Sequence, residues 1–230
     1  MPLSFDTAAY LRTATGRAKS DVANKLVSML LHHLSKEVST LFGESITDTS
    51  YRSSVATHFG NLCAYCSHSL DFDRVAVEHL DGMNRFRLGL HVPGNVVVAC
   101  KKCNGEKRRD DQQPTLVLAN TGWESFLSHD SSRCGSGCKT CAYWMGVWPD
   151  IDQRRRALQS ALTKLKGFRE GYHVAINWME QHRQSLSRSV EQLYRDGQSF
   201  AVMEIGKIVR EVIKPQEANP AGGSLECPVA

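Results

Sequence analysis

Cys63-Ala-Tyr-Cys66, Arg74-Val-Ala-Val-Glu-His79 and Asn95-Val-Val-Val-Ala-Cys-Lys-Lys-Cys103-Asn-Gly-Glu-Lys-Arg-Arg109 are the segments on which the fold turns. The two CxxC pairs, Cys63/Cys66 and Cys100/Cys103, are separated by 33 residues. Each pair can turn two thiolates toward one ion, and together they complete the tetrahedral all-sulfur shell that a structural Zn²⁺ prefers. Such a shell has no open position, so this zinc is expected to hold the fold and do no chemistry. Between the pairs, the alternating run that ends in Glu78 and His79 reads as a strand. A loop with Gly82, Gly89, Pro93 and Gly94 follows, then a second apolar strand from Asn95 to Ala99, and Cys103 to Arg109 can start a helix.

Outward from this core the sequence is helical. Val22, Leu26, Met29, Leu30, Leu34, Val38 and Leu41 recur at spacings of three and four and predict a helix over 7–43, with a shorter one over Thr49 to His58. His32 and His33, with no ligand spacing around them, read as surface or core histidines. From Asp150 to Lys214 the helical period returns, and Gly167, Gly171 and Gly197 could divide it into two or three helices. Residues 215–230, rich in Pro, Gly and small polar residues, read as a disordered tail. The segmentation is therefore 1–58 helical, 59–113 metal finger, 114–149 Cys-rich connector, 150–214 helical and 215–230 tail.

The series CxxC, Glu-His, Asn, CxxC-Asn-x-x-Lys resembles the HNH nucleases in their zinc-bearing, treble-clef form. The likeness is confined to about Cys63 to Arg109. It implies a mainly α protein with a small ββα-metal finger inserted between helical segments, and a metal-dependent endonuclease acting on DNA to leave 5′-phosphate and 3′-hydroxyl ends. By motif position, Glu78 resembles the family's first-strand ligand to a catalytic Mg²⁺ or Mn²⁺, His79 its general base, Asn95 the residue that brings the loop together, and Asn104 a ligand from the helix. Two positions depart from the commoner pattern: Glu for Asp at the first and Asn for His at the last. Both keep a ligand oxygen, which suits a hard cation. The chemistry is consistent, because phosphodiester hydrolysis needs an activated water and a cation against the developing charge. The alternative is a non-catalytic zinc module that binds DNA or protein.

Charge and the remaining cysteines complete the reading. The formal net charge of +4 on 230 residues does not by itself point to nucleic acid. Lys101, Lys102, Lys107, Arg108 and Arg109 cluster after the second knuckle and are candidate phosphate contacts, or alternatively a solvated helix face. Arg85, Arg87 and Arg154 to Arg156 are weaker candidates. Asp81 reads as a loop-capping residue or an additional carboxylate, and His91 as loop structure, a phosphate contact or a catalytic group.

Cys134, Cys138 and Cys141 form a second group with Cys-x3-Cys-x2-Cys spacing. The spacing resembles the cluster motif of radical S-adenosylmethionine enzymes, but the alternating β/α pattern of those enzymes is missing. The reading is a second zinc with His129 or another fourth ligand; an iron–sulfur cluster and incidental buried thiols are the alternatives. Trp144 and Trp148 read as core anchors, and Cys227 as a free thiol in the tail. No apolar run approaches the ~20 residues of a membrane span, and the amino terminus lacks the features of a secretory signal. The expected setting is the reducing cytoplasm, with DNA as partner, a symmetric dimer as the way to cut both strands, and a host-defence role alone or with a partner protein.

Overall fold

The computed structural model describes residues 7–43, 46–47, 49–70, 75–111 and 122–212; the side chains of 7–15, 109–111, 209 and 212 are excepted. The expected disordered tail and Cys227 lie outside these residues. Helices dominate: α1 (Thr7–Leu41), α2 (Thr49–His58), α3 (Lys101–Asp111), α4 (Gly122–Ser128), α5 (Lys139–Val147), α6 (Ile151–Gly171) and α7 (His173–Val212). Two strands, β1 (Val75–His79) and β2 (Val96–Cys100), make an antiparallel pair with Val75 opposite Cys100 and His79 opposite Val96. No helix among the described residues is long and apolar enough to cross a membrane.

The chain forms two compact units, one taking the described residues up to Leu26 and from Gln192 onward, the other Val27–Glu191. Both long outer helices are thus shared between units, whereas the sequence segmentation kept each within one segment. In the smaller unit Gly197 does not end a helix. A Cβ there would come within 2.9 Å of the Leu26 side chain and 3.1 Å of the Ala23 backbone, so the missing side chain lets α7 approach α1. The α6–α7 break falls instead at Gly171 and Tyr172.

The larger unit holds the core. Tyr51, Val55 and Phe59 of the α2 region, the β2 valines, Trp123 and Phe126 of α4, Trp144 of α5 and Leu158, Leu165 and Phe168 of α6 are buried together. β2 reads as an unbroken apolar run because four of its five residues are buried. β1 alternates weakly, with Val77 exposed and Glu78 buried. Helices α4 and α5 had no counterpart in the periodicity: seven and nine residues long, they hold their place through aromatic packing. Phe126 stacks edge-on against Tyr65 at 5.6 Å, and the Trp144 indole N–H donates to the Phe126 carbonyl at 2.9 Å. Trp148 is only partly buried and lies 5.2 Å from the His68 ring.

Candidate metal centres and the loop between them

Among the described residues, two groups of His, Cys, Asp or Glu bring their ligand atoms within 4.8 Å of one another: Cys63, Cys66, Cys100 and Cys103, and His129, Cys134, Cys138 and Cys141. The seven cysteines in them are free of disulfides. The first group is assembled by the finger. The Ala64 N–H donates to the Val98 carbonyl at 3.1 Å and docks the first knuckle on β2, while the second knuckle spans the end of β2 and the first turn of α3. The Cys66 and Cys100 sulfurs are 3.9 Å apart. Sulfurs arranged tetrahedrally around zinc at its ordinary bond length would stand about 3.8 Å apart. The N–H groups of Cys100 and Cys103 donate to the sulfurs of Cys63 and Cys100 at 3.3 and 3.4 Å, and such donors favour thiolates.

Four such sulfurs cannot all be thiolates without a cation. The hydrogen bond between Cys100 and Cys103 pushes the Cys103 thiol well above its ordinary range and holds Cys100 below it. One neighbour enters from α5: the Tyr143 hydroxyl lies 2.9 Å from the Cys103 sulfur. Burial, then the nearby Cys103, raises Tyr143 and keeps it a neutral phenol, which can donate to that sulfur once the sulfur is a metal-bound thiolate.

Between the knuckles, residues 80–95 form a loop closed at its base by Asn95. This wholly buried amide accepts from the Asp81 N–H at 2.8 Å and donates to the carbonyls of Leu90 at 2.8 Å and Asp81 at 3.1 Å. Gly89 packs so tightly on the Asp81 carbonyl that any side chain would collide with it. Tyr51, which sequence reasoning missed, accepts from the Gly94 N–H at 3.3 Å and donates to the Val96 carbonyl at 2.9 Å. Asp81 neither caps the loop nor faces an open site. Its carboxylate is fully buried and meets Arg169 at 3.2 Å and Arg183 at 3.1 Å, with Oδ1 left without a hydrogen bond.

The end of β1 is packed against α3. Lys107, expected as a phosphate contact, is instead fully buried: its ammonium donates to Glu78 Oε1 at 2.8 Å and to the His79 carbonyl at 2.7 Å. This follows from helix geometry, because a lysine on the strand-facing side of α3 is shielded by the very strands it packs on. Asn104, partly exposed, lies three residues earlier and so on the same face of α3 as Lys107. His79 directs Nε2 to His91 Nδ1 at 2.9 Å. The His91 N–H donates to Ser35 Oγ on α1 at 2.9 Å, and Ser35 in turn donates to the Leu31 carbonyl. Burial first, then the neighbouring His91 and Lys107 charges, lowers His79 to about 3, and burial followed by His32 and Arg52 lowers His91 to about 4. Both rings are neutral at pH 7.

Other expected contacts separate by exposure. Lys101, Lys102 and Arg108 are exposed on α3, whereas the Arg109 side chain lies outside the described residues. Arg85 pairs with Glu191 at 3.5 Å and Arg87 is buried. Arg154 is buried too, so it is no phosphate contact; Arg155 and Arg156 are exposed. His32 and His33 are exposed on α1.

Comparison of the chain with protein-family models, with curated proteins and with solved structures finds no match.

Proposed function

We propose that the protein is an HNH-type, metal-dependent DNA endonuclease that hydrolyses phosphodiester bonds to 5′-phosphate and 3′-hydroxyl ends. The observation that carries this reading is the arrangement at the end of β1. Glu78 and His79 sit on a strand pressed against α3 by Lys107, and Asn104 lies one turn earlier on that helix face.

The donor chemistry fits a hard cation, since Glu78 offers a carboxylate and Asn104 an amide oxygen. Mg²⁺ or Mn²⁺ held there would supply positive charge against the phosphate and the leaving oxygen. His79, uncharged at neutral pH, takes the proton of the attacking water through the ring nitrogen that does not face His91. Asn95 fixes the loop that carries His91, and so the orientation of the His79 ring. Lys107 neutralises Glu78 through Oε1 at 2.8 Å. The exposed Lys101, Lys102 and Arg108 are suited to backbone phosphates, which position DNA without reading sequence. Each site cuts one strand, so a double-strand break would take two copies.

A second reading, a non-catalytic zinc module that binds DNA or protein, draws support from the same residues. Glu78 Oε1 is already paired with Lys107, and an imidazole lowered to about 3 is a weak proton acceptor.

Nicking of supercoiled plasmid with Mg²⁺ or Mn²⁺ separates the two readings. The parent protein is expected to nick and His79→Ala to lose at least ~100-fold in rate. A parent that binds but never cuts DNA sinks the nuclease, and cutting that survives His79→Ala removes His79 from its role.

A further inference from the structure

We propose that His129, Cys134, Cys138 and Cys141 bind one zinc ion in a closed site, and that this ion buttresses the four-cysteine site through Tyr143. The inference does not depend on the nuclease reading.

The first argument is stoichiometric. The Nδ1 atom of His129 lies 3.2 Å from the Cys138 sulfur, 3.4 Å from Cys134 and 3.9 Å from Cys141. A ring nitrogen has either one proton or one lone pair, so a hydrogen bond can serve one of those sulfurs and not three. A metal ion serves all of them. For zinc at ordinary bond lengths, tetrahedral geometry places nitrogen and sulfur about 3.6 Å apart, in the middle of the observed range. Four donor atoms within 4.8 Å of one another enclose a single ion and leave no room for a multi-iron cluster. Three thiolates and an imidazole are a donor set that zinc favours, and with four protein ligands the site has no place for substrate.

The second argument is that the surroundings hold the four ligands in place. The Ser132 N–H donates to Asp130 Oδ1 at 2.8 Å, Ser131 adopts a positive φ of 71°, and the Cys138 N–H donates to the Gly135 carbonyl at 3.1 Å. These turns fold the ligand loop back on itself. Arg154, 3% exposed on α6, secures the loop on both sides, donating to the Cys141 carbonyl at 3.4 Å, the Asp130 carbonyl at 3.3 Å and Ser131 Oγ at 3.3 Å. The α4 helix, its aromatic residues in the core, delivers His129 from the other side.

The link to the first site runs along α5. Cys138 is the N-cap of this helix and Cys141 lies in its first turn. The Tyr143 hydroxyl, two residues further on, lies 2.9 Å from the Cys103 sulfur and would donate to it as a zinc-bound thiolate, while Trp144 fixes the helix in the core. A zinc that holds the start of α5 therefore sets the position of an outer-shell hydrogen bond to the other zinc. Such outer-shell partners typically contribute ~10-fold to ~100-fold to metal affinity.

Elemental analysis of the purified full chain tests the site. Two zinc ions per chain are expected, with one left in Cys134→Ser and the iron content negligible. One zinc in the parent, or iron with acid-labile sulfide, overturns the proposal. Cobalt substitution of the parent avoids reliance on a variant's folding: the thiolate-to-metal absorption should correspond to seven thiolates, and four would overturn it. For the link, chelator competition compares Cys134→Ser with Cys134→Ser/Tyr143→Phe, where only the four-cysteine site remains, and the same competition is run on Tyr143→Phe alone. Zinc release from the four-cysteine site should become ~10-fold to ~100-fold easier in Tyr143→Phe alone, and by less once Cys134→Ser has already freed α5. Equal release with and without the hydroxyl overturns the buttressing.

Discussion

The Lys107 ammonium stands 2.8 Å from Glu78 Oε1, with the lysine side chain fully enclosed and that of Glu78 nearly so. A pair this deep contributes little net stability when intact, because desolvation offsets the attraction, but losing one partner strands a buried charge. Lys107→Met is expected to cost about 3–5 kcal/mol in urea denaturation. The double variant Lys107→Met/Glu78→Gln should recover a large part of that loss, and full additivity of the two changes would show that they do not interact.

Asn95 makes three hydrogen bonds in a fully buried position. Asn95→Ala takes these bonds from the Asp81 N–H and carbonyl, at a cost of about 1–3 kcal/mol for each group that water fails to reach, while the Leu90 carbonyl keeps the Val92 N–H. Amide hydrogen exchange at Asp81 should accelerate along with the drop in stability. Unchanged exchange there would remove Asn95 from its role at the base of the loop.

Acid should weaken the protein in a defined window. His79 and His91 are lowered to about 3 and about 4, while in an unfolded chain both titrate near the ordinary value of 6.5. Below 6.5 the unfolded state binds more protons, so stability declines as pH falls from about 6.5 to about 4 for His91 and to about 3 for His79. The decline levels off once the folded protein takes up the same protons. Each histidine adds at most about 1.4 kcal/mol per pH unit to that slope. His91→Phe should make it shallower, as measured by melting temperature across pH.

Of these relationships, those local in sequence were legible and those built by distant contacts were not. The α2 range and the long α1 follow from apolar spacing, and both metal groups from cysteine spacing, because ligand turns are short-range. Lys107 was misread because its partner lies 29 residues away on a strand, and a basic run in sequence gives no sign of which lysine faces inward. The same holds for Ser35 and His91, 56 residues apart, and for Asp81 with Arg169 and Arg183, 88 and 102 residues apart. His129 was one option for a fourth ligand, and only its ring position selects it over the others.

Removing metal should separate the two halves of the finger. With Cys63→Ser, the first knuckle would lose a ligand and β1 the support that a closed four-cysteine zinc site would contribute to folding. The expected outcome is proteolysis between the knuckles under conditions that leave the parent uncut. A cleavage pattern identical to the parent's would mean that the strands stand without that ion.

The buried carboxylate of Asp81 draws its counter-charges from Arg169 and Arg183, which belong to α6 and α7. The finger is consequently not a portable cassette. Excised at its knuckles or grafted into a foreign host, it would have an orphaned anion at the root of its loop, and transplantation would succeed only if both arginine-bearing helices travelled with it.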